Sequence, residues 1–345
     1  MKIILDAMGG DNAPREIVRG ALLAQKESEA DTVLVGRGED ILHVLKEEGL
    51  DTLPRGMEIA HAEQVITMDD NPSNVIKEKP DSSIVVGLDL LNKGVGDAFV
   101  SAGNTGALLS GATLIVKRIK GVRRAALSPI IPTAKGGAML IDCGANVECT
   151  PEYLLQFAFM GSLYASCVMG IDKPRVGLMN IGAEETKGDA LRKETYKLLR
   201  QAHDDGRLLF VGNLEGRDIA FGLADVVVSD GFSGNIMLKT TEGMGLFFAS
   251  LMKQMFTKNI IAKMGALFVR GGLRSLKKML DYTEYGGSPF LGVGKPVIKT
   301  HGSSNANAIR STIRQARDFA ASQVIQEIAN NMEHMRLPDQ GGGTG

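Results

Sequence analysis

Six stretches of the 345-residue chain mix glycine with Asn, Ser, Thr and Asp at the ends of apolar, strand-like runs: "DAMGGDNAP", "SAGNTGAL", "DCGANVECTP", "GNLEGRD", "DGFSGN" and "GSSNANA". Glycine lets backbone approach a ligand closely, while Asn, Ser and Thr cap helices and offer hydrogen bonds. In open α/β sheets such loops meet helix N-termini, whose N–H groups and partial positive charge favour anions. The candidate ligand-binding positions are Asp6, Gly9, Gly10 and Asn12 in the first loop and Asn104 and Thr105 in the second. They continue with Asp142 and Asn146, then Glu215, then Asp230, Gly231, Ser233 and Gly234, and end with Ser304 and Asn305. For any single loop the simpler reading is ordinary turn and cap chemistry; six at strand ends argue for more. A seventh stretch, "NIGAEETKGD" (180–189), sets Lys187 among Glu184, Glu185 and Asp189. If that lysine holds an anion, its acidic neighbours need another task.

The familiar phosphate and hydrolase signatures are missing. "GRGEDI" begins as G-x-G, but Ile41 replaces the third glycine, and Glu39 and Asp40 would face a pyrophosphate, so it reads as a turn and a helix start. There is no G-x-x-x-x-G-K-[ST], no H-E-x-x-H and no G-x-S-x-G. Nucleotide hydrolysis, zinc proteolysis and serine-hydrolase chemistry lose their support, and a nicotinamide dehydrogenase suffers from the absent dinucleotide loop.

The elements that must position these loops follow a repeating order of short apolar strand, small-residue loop and amphipathic helix, beginning with "KIILDA" and "REIVRGALLAQKE". That order predicts an α/β/α sandwich around a mostly parallel sheet. "AALSPIIP" and "GGAMLIDCGANVECTP" are separated only by "TAKG", too short for a helical crossover, so a hairpin makes the sheet mixed. Pro151 opens "EYLLQFAFMGSLYASCVMG", apolar nearly all round and therefore a buried helix. "NANAIRSTIRQARDFAASQVIQEIANNM" reads as one long terminal helix. With no composition break, a single domain over 1–335 is expected, followed by a flexible tail at 336–345. Hydrophobic content of 44%, charged content of 23% and a net charge of −1 describe a globular chain and point to no particular charged partner. Three cysteines without metal-ligand spacing, and no leader before "MKIILDAMGG", lead to the expectation of a reducing cytoplasm.

Taken in order, "MKIILDAMGGDNAP", "SAGNTGAL", "DCGAN", "NIGAEETKG", "NLEGRDI" and "DGFSGN" resemble the bacterial phosphate acyltransferases of phospholipid synthesis, from Met1 to about Asn330. The resemblance implies transfer of a fatty acyl group from acyl carrier protein to inorganic phosphate. It also implies a dimer without a redox cofactor, in a three-layer fold similar to phosphotransacetylase and isocitrate dehydrogenase. Such a reaction needs neither a protein nucleophile nor a strong base, because phosphate attacks and a thiolate leaves; it needs a concentrated anion and donors for the oxyanion. Lys187 is the candidate phosphate grip and Asn235 the candidate oxyanion donor or phosphate orienter, and the resemblance points to the same two positions. Glu184 or Glu185 would then steady the Lys187 stem, and Asp189 would cap the next helix. Asp6, Asp142 and Asp230 at strand ends suit either a divalent ion or the shaping of loops through their N–H groups; no obligatory metal is expected. Cys143 lacks a paired histidine, so a buried filler is the better reading than an acyl acceptor. His301 stands near the presumed cleft as a lone histidine and is left out of the catalytic set.

Between Gly243 and Leu280 there is no acidic residue, while lysines and arginines including Arg270 and Arg274 interleave with large apolar side chains. The stretch predicts a helical hairpin at about 241–280, turning near Gly265 to Gly272, with Ile260, Ile261, Leu267, Phe268 and Val269 near its tip. Apolar residues ringed by cations suit an anionic bilayer or the acidic carrier protein; a dimer interface is the equal alternative. Aliphatic spacing of the cations argues against nucleic acid. The competing functions are a short-chain phosphotransacetylase using coenzyme A and a non-enzymatic membrane scaffold.

Overall fold

The computed structural model describes residues 1–28, 30–273 and 286–337. Apolar residues alternate along the first strands and pack into different clusters on the two faces. In β1 (Lys2–Asp6), Ile3 and Leu5 point one way and Ile4 the other. The same division holds for Leu34 against Val33 and Val35 in β2 (Asp31–Gly36). Strands buried on both faces belong in a sheet covered by helices on both sides.

Chain order continues through α1 (Arg15–Ser28), α2 (Gly38–Glu47), β3 (Met57–His61), α3 (Val75–Glu78), α4 (Ser83–Asn92), β4 (Ala98–Ser101) and α5 (Thr105–Gly111). It then runs through β5 (Ala126–Leu127), β6 (Ile130–Thr133), β7 (Gly136–Ile141), α6 (Pro151–Cys167), β8 (Arg175–Met179), α7 (Ala190–Asp204), β9 (Leu209–Leu214), α8 (Gly216–Ala220), β10 (Val226–Val228) and α9 (Gly231–Thr257). The last elements are α10 (Ile260–Phe268), β11 (Ser288–Leu291), β12 (Val297–Lys299), α11 (Ala306–Ala321) and α12 (Val324–Asn330).

The expected mixed, mainly parallel sheet is present as two sheets. One has the order β3-β2-β1-β4-β12-β11-β5, parallel from β3 to β12, with β11 antiparallel to both its neighbours. The other has the order β6-β7-β10-β8-β9, parallel except for β6, which pairs antiparallel with β7 as the short "TAKG" connection requires. Helices α1 and α11 pack together beside the first sheet, and α4 covers β1, β2 and β4. In the second sheet α6 packs against β7, β8 and β10. One apolar cluster joins the two sheets: it holds Leu5 and Val100 of the first, Ile141 and Val226 of the second, Phe157 and Tyr164 of α6, and Ile313 and Phe319 of α11. Pro151 opens α6 as expected, and the helix is buried through most of its length.

Two helix boundaries differ from the sequence pattern. The terminal helix is broken at Ser322–Gln323, where Gln323 takes a left-handed φ of 57° and the Ser322 hydroxyl accepts the Val324 N–H at 3.4 Å. The expected first limb of the hairpin is interrupted: Asn259 caps α10 by accepting the Ala262 N–H at 2.8 Å, and α10 ends at Phe268. Arg274 and most of the expected second limb lie outside the described residues, as does the tail from 338 onward.

Helix α4 shows how tightly the first sheet is covered. A Cβ at Gly87 would lie 2.2 Å from the fully buried ring of Phe99. Gly→Ala inside a helix ordinarily stabilises by about 1 kcal/mol; here overpacking reverses the sign. Gly87→Ala is expected to lower unfolding free energy by about 1–3 kcal/mol in urea titrations, whereas Ala at the exposed Gly265 in α10, which would meet nothing within 4 Å, should not.

Candidate active site

The carboxyl ends of both sheets face a single cleft of about 500 Å³. Asp11 follows β1, Thr105 follows β4, and Lys299 to Gly302 with Ser304 end or follow β12, all from the first sheet. Cys143 and Gly144 follow β7, and Asn235, Leu238, Lys239 and Glu242 project from α9 after β10, all from the second. Leu127, Pro129 and Ile130 form an apolar wall where the chain crosses between sheets.

The polar loop residues divide into those that shape the cleft and those that line it. Asp6 is buried and accepts the Met8 N–H at 3.1 Å and the Ser101 hydroxyl at 2.6 Å. Burial pushes its carboxyl above the usual 3.8, against those bonds. Gly9 packs on the Asp6 carboxylate and Gly10 on the Gly302 carbonyl, while Asn12 donates to the Ser303 and Ser304 carbonyls at 3.2 and 3.3 Å. Asn104 caps α5 and donates to the carbonyls of Thr67 and Met68; Asn305 caps α11. Asp142 accepts the N–H groups of Leu127, Ala145 and Asn146 at 2.9, 3.2 and 2.6 Å and the Asn146 side-chain amide at 2.9 Å, and burial raises its pKa as well. Glu215 forms a capping box with Asp218 at the start of α8, away from the cleft lining. Asp6 and Asp142 spend oxygens on loop N–H groups, whereas Asp230 spends its oxygens on Ser233 and Arg192. Thr105, Asn235 and Ser304 line the cleft itself.

The start of α9 is locked against the loop after β7. A Cβ on Gly234 would sit 2.0 Å from the Asp142 carbonyl oxygen, and one on Gly231 would sit 2.6 Å from that of Asn146, so only glycine permits this approach. The contact brings Asn235 to within about 4 Å of a side chain placed at Gly144. Asp230 caps α9 by accepting the Ser233 N–H at 2.9 Å, and both Asp230 and the Ser233 hydroxyl bond the Arg192 guanidinium.

Arg192, at the start of α7, is the clamp between the first turns of α7 and α9. It also bonds Asp189, which caps α7 as expected through the Arg192 N–H at 2.8 Å. Lys187 lies on the adjacent loop after β8, exposed and outside the cleft lining, with its stem over Gly182. Among the described residues it makes no ion pair. Glu185 instead accepts the Tyr196 hydroxyl at 2.8 Å, so the expected pairing with Lys187 is absent.

Other cleft residues escaped the sequence reading or were set aside. Lys299 is 8% exposed and donates to the carbonyls of Ala102, at 3.1 Å, and Thr300. Burial lowers its pKa to about 8, Lys239 adding to the effect while Asp6 and Asp11 oppose it. Lys239 is paired with Glu242 at 2.7 Å. His301 bonds the Ser303 hydroxyl at 2.8 Å, and burial followed by the nearby Lys239 pulls its pKa down. Cys143 is buried, and burial pushes its thiol well above the ordinary value, so it is protonated at neutral pH and suits a filler rather than a nucleophile.

Asp230 provides a pH test of the clamp. Burial works to raise its pKa, but the Ser233 bonds and Arg192 prevail and hold it below 3.8. The carboxylate's contribution is therefore complete above about pH 4 and lost as pH falls through the depressed value. Asp230→Asn is expected to cost about 1–3 kcal/mol in urea titrations at pH 7, with the difference from wild type shrinking as pH drops below 4.

The family model described as "Fatty acid synthesis protein" matches residues 1–327. The chain is 47% identical over 333 residues to a phosphate acyltransferase of Thermoanaerobacterium thermosaccharolyticum, covering 96% of this chain and 97% of that one. It is 46% identical over 336 residues to a phosphate acyltransferase of Thermoanaerobacter pseudethanolicus, covering 97% and 98%. In structure it matches a phosphotransacetylase from Streptococcus pyogenes with a TM-score of 0.64 at 18% identity, over 93% of this chain and 94% of that one. A branched-chain phosphotransacylase from Enterococcus faecalis gives 0.57 at 16%, over 93% and 100%. At those identities the structural likeness establishes the fold alone. With motifs in family order and near-complete coverage by relatives of closely similar length, the chain belongs to the fatty acid synthesis protein family, whose members at this level of identity include phosphate acyltransferases.

Proposed function

We propose that this protein transfers a fatty acyl group from the thioester of acyl carrier protein to inorganic phosphate, giving acyl phosphate and the free carrier thiol. Identity of 46–47% to phosphate acyltransferases over nearly the whole chain carries the reading. A phosphate oxygen attacks the thioester carbon to form a tetrahedral oxyanion, whose collapse breaks the C–S bond, and the proton of the attacking hydrogen phosphate ends on the sulfur. Asn235, at the start of α9 and facing Gly144, donates to the tetrahedral oxyanion. Lys187, exposed on the neighbouring loop, closes over the phosphate from the rim. Leu127, Pro129, Ile130 and Leu238 give the acyl chain an apolar wall.

The hairpin is the proposed surface contact. Ile260, Ile261, Leu267, Phe268 and Val269 are exposed by 76, 80, 70, 89 and 46%, among Lys258, Lys263 and Arg270. This tip docks on an anionic membrane, where an amphiphilic acyl phosphate is delivered. Along α9, Leu246, Phe247 and Phe248 are also exposed, and this shaft is the proposed dimer contact. No helix among the described residues is long and apolar enough to cross a membrane.

Incubating long-chain acyl carrier protein with labelled phosphate should yield a hydroxylamine-sensitive product, and Lys187→Ala or Asn235→Ala should lower turnover by about a hundredfold or more. A preference for acetyl-coenzyme A would shift the assignment to a short-chain phosphotransacetylase, and unchanged rates in both variants would remove these residues from the chemistry. In flotation assays, Leu267→Glu with Phe268→Glu should abolish binding to vesicles containing anionic lipid; retained binding would place the membrane contact elsewhere.

A further inference from the structure

Of the cations lining the cleft, Lys239 is answered by Glu242 at 2.7 Å. Lys299 is not answered in this way: among the described residues it makes no ion pair, although its side chain is buried at the end of β12. Asp6 and Asp11 attract it only from beyond ion-pair distance, too weakly to outweigh its burial; a buried ammonium without a paired counter-charge is costly, and an anionic ligand supplies that charge. Lysine has three N–H donors, and two of them end on the Ala102 and Thr300 carbonyls. Those carbonyls belong to the loops after β4 and β12, so the ammonium is fixed where these adjacent parallel strands open into the cleft. Beside it the Thr300 and Ser304 hydroxyls lie 2.9 Å apart, with Thr312 behind them at 3.3 Å from Thr300. Ser304 lines the cleft as well.

We propose that Lys299 binds the attacking phosphate: its third N–H donates to a phosphate oxygen, with the Ser304 hydroxyl as a neighbouring donor, while Ala102 and Thr300 hold the ammonium in place. The assignment rests on the reading that this cleft is where phosphate reacts. It selects phosphate over the thioester because a thioester carbonyl is neutral before attack and answers no charge, whereas hydrogen phosphate is a dianion. The exposed Lys187 acts through water-like dielectric; a buried cation attracts the same anion more strongly.

Steady-state kinetics on the full chain, varying phosphate at saturating acyl carrier protein and then the reverse, test this assignment. Lys299→Gln keeps two N–H donors for the two carbonyls and removes the charge. Its phosphate KM is expected to rise about tenfold or more, with the acyl-donor KM within about twofold of wild type, while Lys299→Arg, which keeps the charge, stays closer to wild type. A folded Lys299→Gln whose phosphate KM is unchanged, or whose two KM values rise together, overturns the assignment in favour of a purely structural stitch between loops. Should that variant fail to fold, Ser304→Ala decides: a selective rise in phosphate KM supports the site and none overturns it. A wild type that consumes no thioester at any phosphate concentration overturns the functional reading itself, and this assignment with it.

Discussion

The arrangement depends on the carboxylate of Asp142. It stands at the end of β7 in the second sheet, yet one of its oxygens accepts the N–H of Leu127, in β5 of the first sheet, while the Cys143 N–H donates to the Leu127 carbonyl at 2.9 Å. Two strands from different sheets are thereby tied at their cleft ends. The same carboxylate gathers the Ala145 and Asn146 N–H groups, and the Asn146 carbonyl in turn receives the Gly231 N–H at 2.7 Å. Sheet closure, the loop after β7 and the start of α9 share one anchor. Its burial is unfavourable for the charge, and four hydrogen bonds offset only part of that cost, so its pKa stays raised.

This self-sufficiency explains why so many polar loop residues are absent from the cleft wall. Asn104, Asp230 and Asn305 each spend a side-chain oxygen on a helix N-terminus, and Asn12 and Asn146 spend their amides on carbonyls. A loop built this way is rigid before any ligand arrives, so the donors that remain are already in place. Fixed donors need little reorganisation during reaction, which is the source of their strength in catalysis.

Much of the fold was legible because the signals were local. The recurring order of apolar strand, loop and amphipathic helix gave β1 and α1; the short connection gave the β6–β7 hairpin; Pro151 gave the start of α6 and Asp189 that of α7. Partner choice between strands was not local, so the division into two sheets was not readable. The site was legible in its glycine and asparagine loops and less so in its charges. Lys299 sits at the end of a three-residue strand, where a lysine in sequence reads as a surface residue; its burial follows from β12 lying beside β4 in mid-sheet. Arg192 lies on a helix rich in exposed charges, and nothing local marks it as reaching Asp230, 38 positions away.

The cleft's chemistry also accounts for what does not act as nucleophile. Cys143 and Cys149 both lie along the rim loop after β7, but burial drives the first thiol well above its ordinary value and, with Asp142 nearby, takes the second to about 12. Neither supplies a thiolate at neutral pH, so an acyl-cysteine intermediate has no activated starting point there. Hydrogen phosphate arrives already ionised and needs no such activation. The protein's remaining task is to collect that anion beside the thioester and to receive the charge that forms on the carbonyl oxygen, and amides, hydroxyls and cations are enough for both.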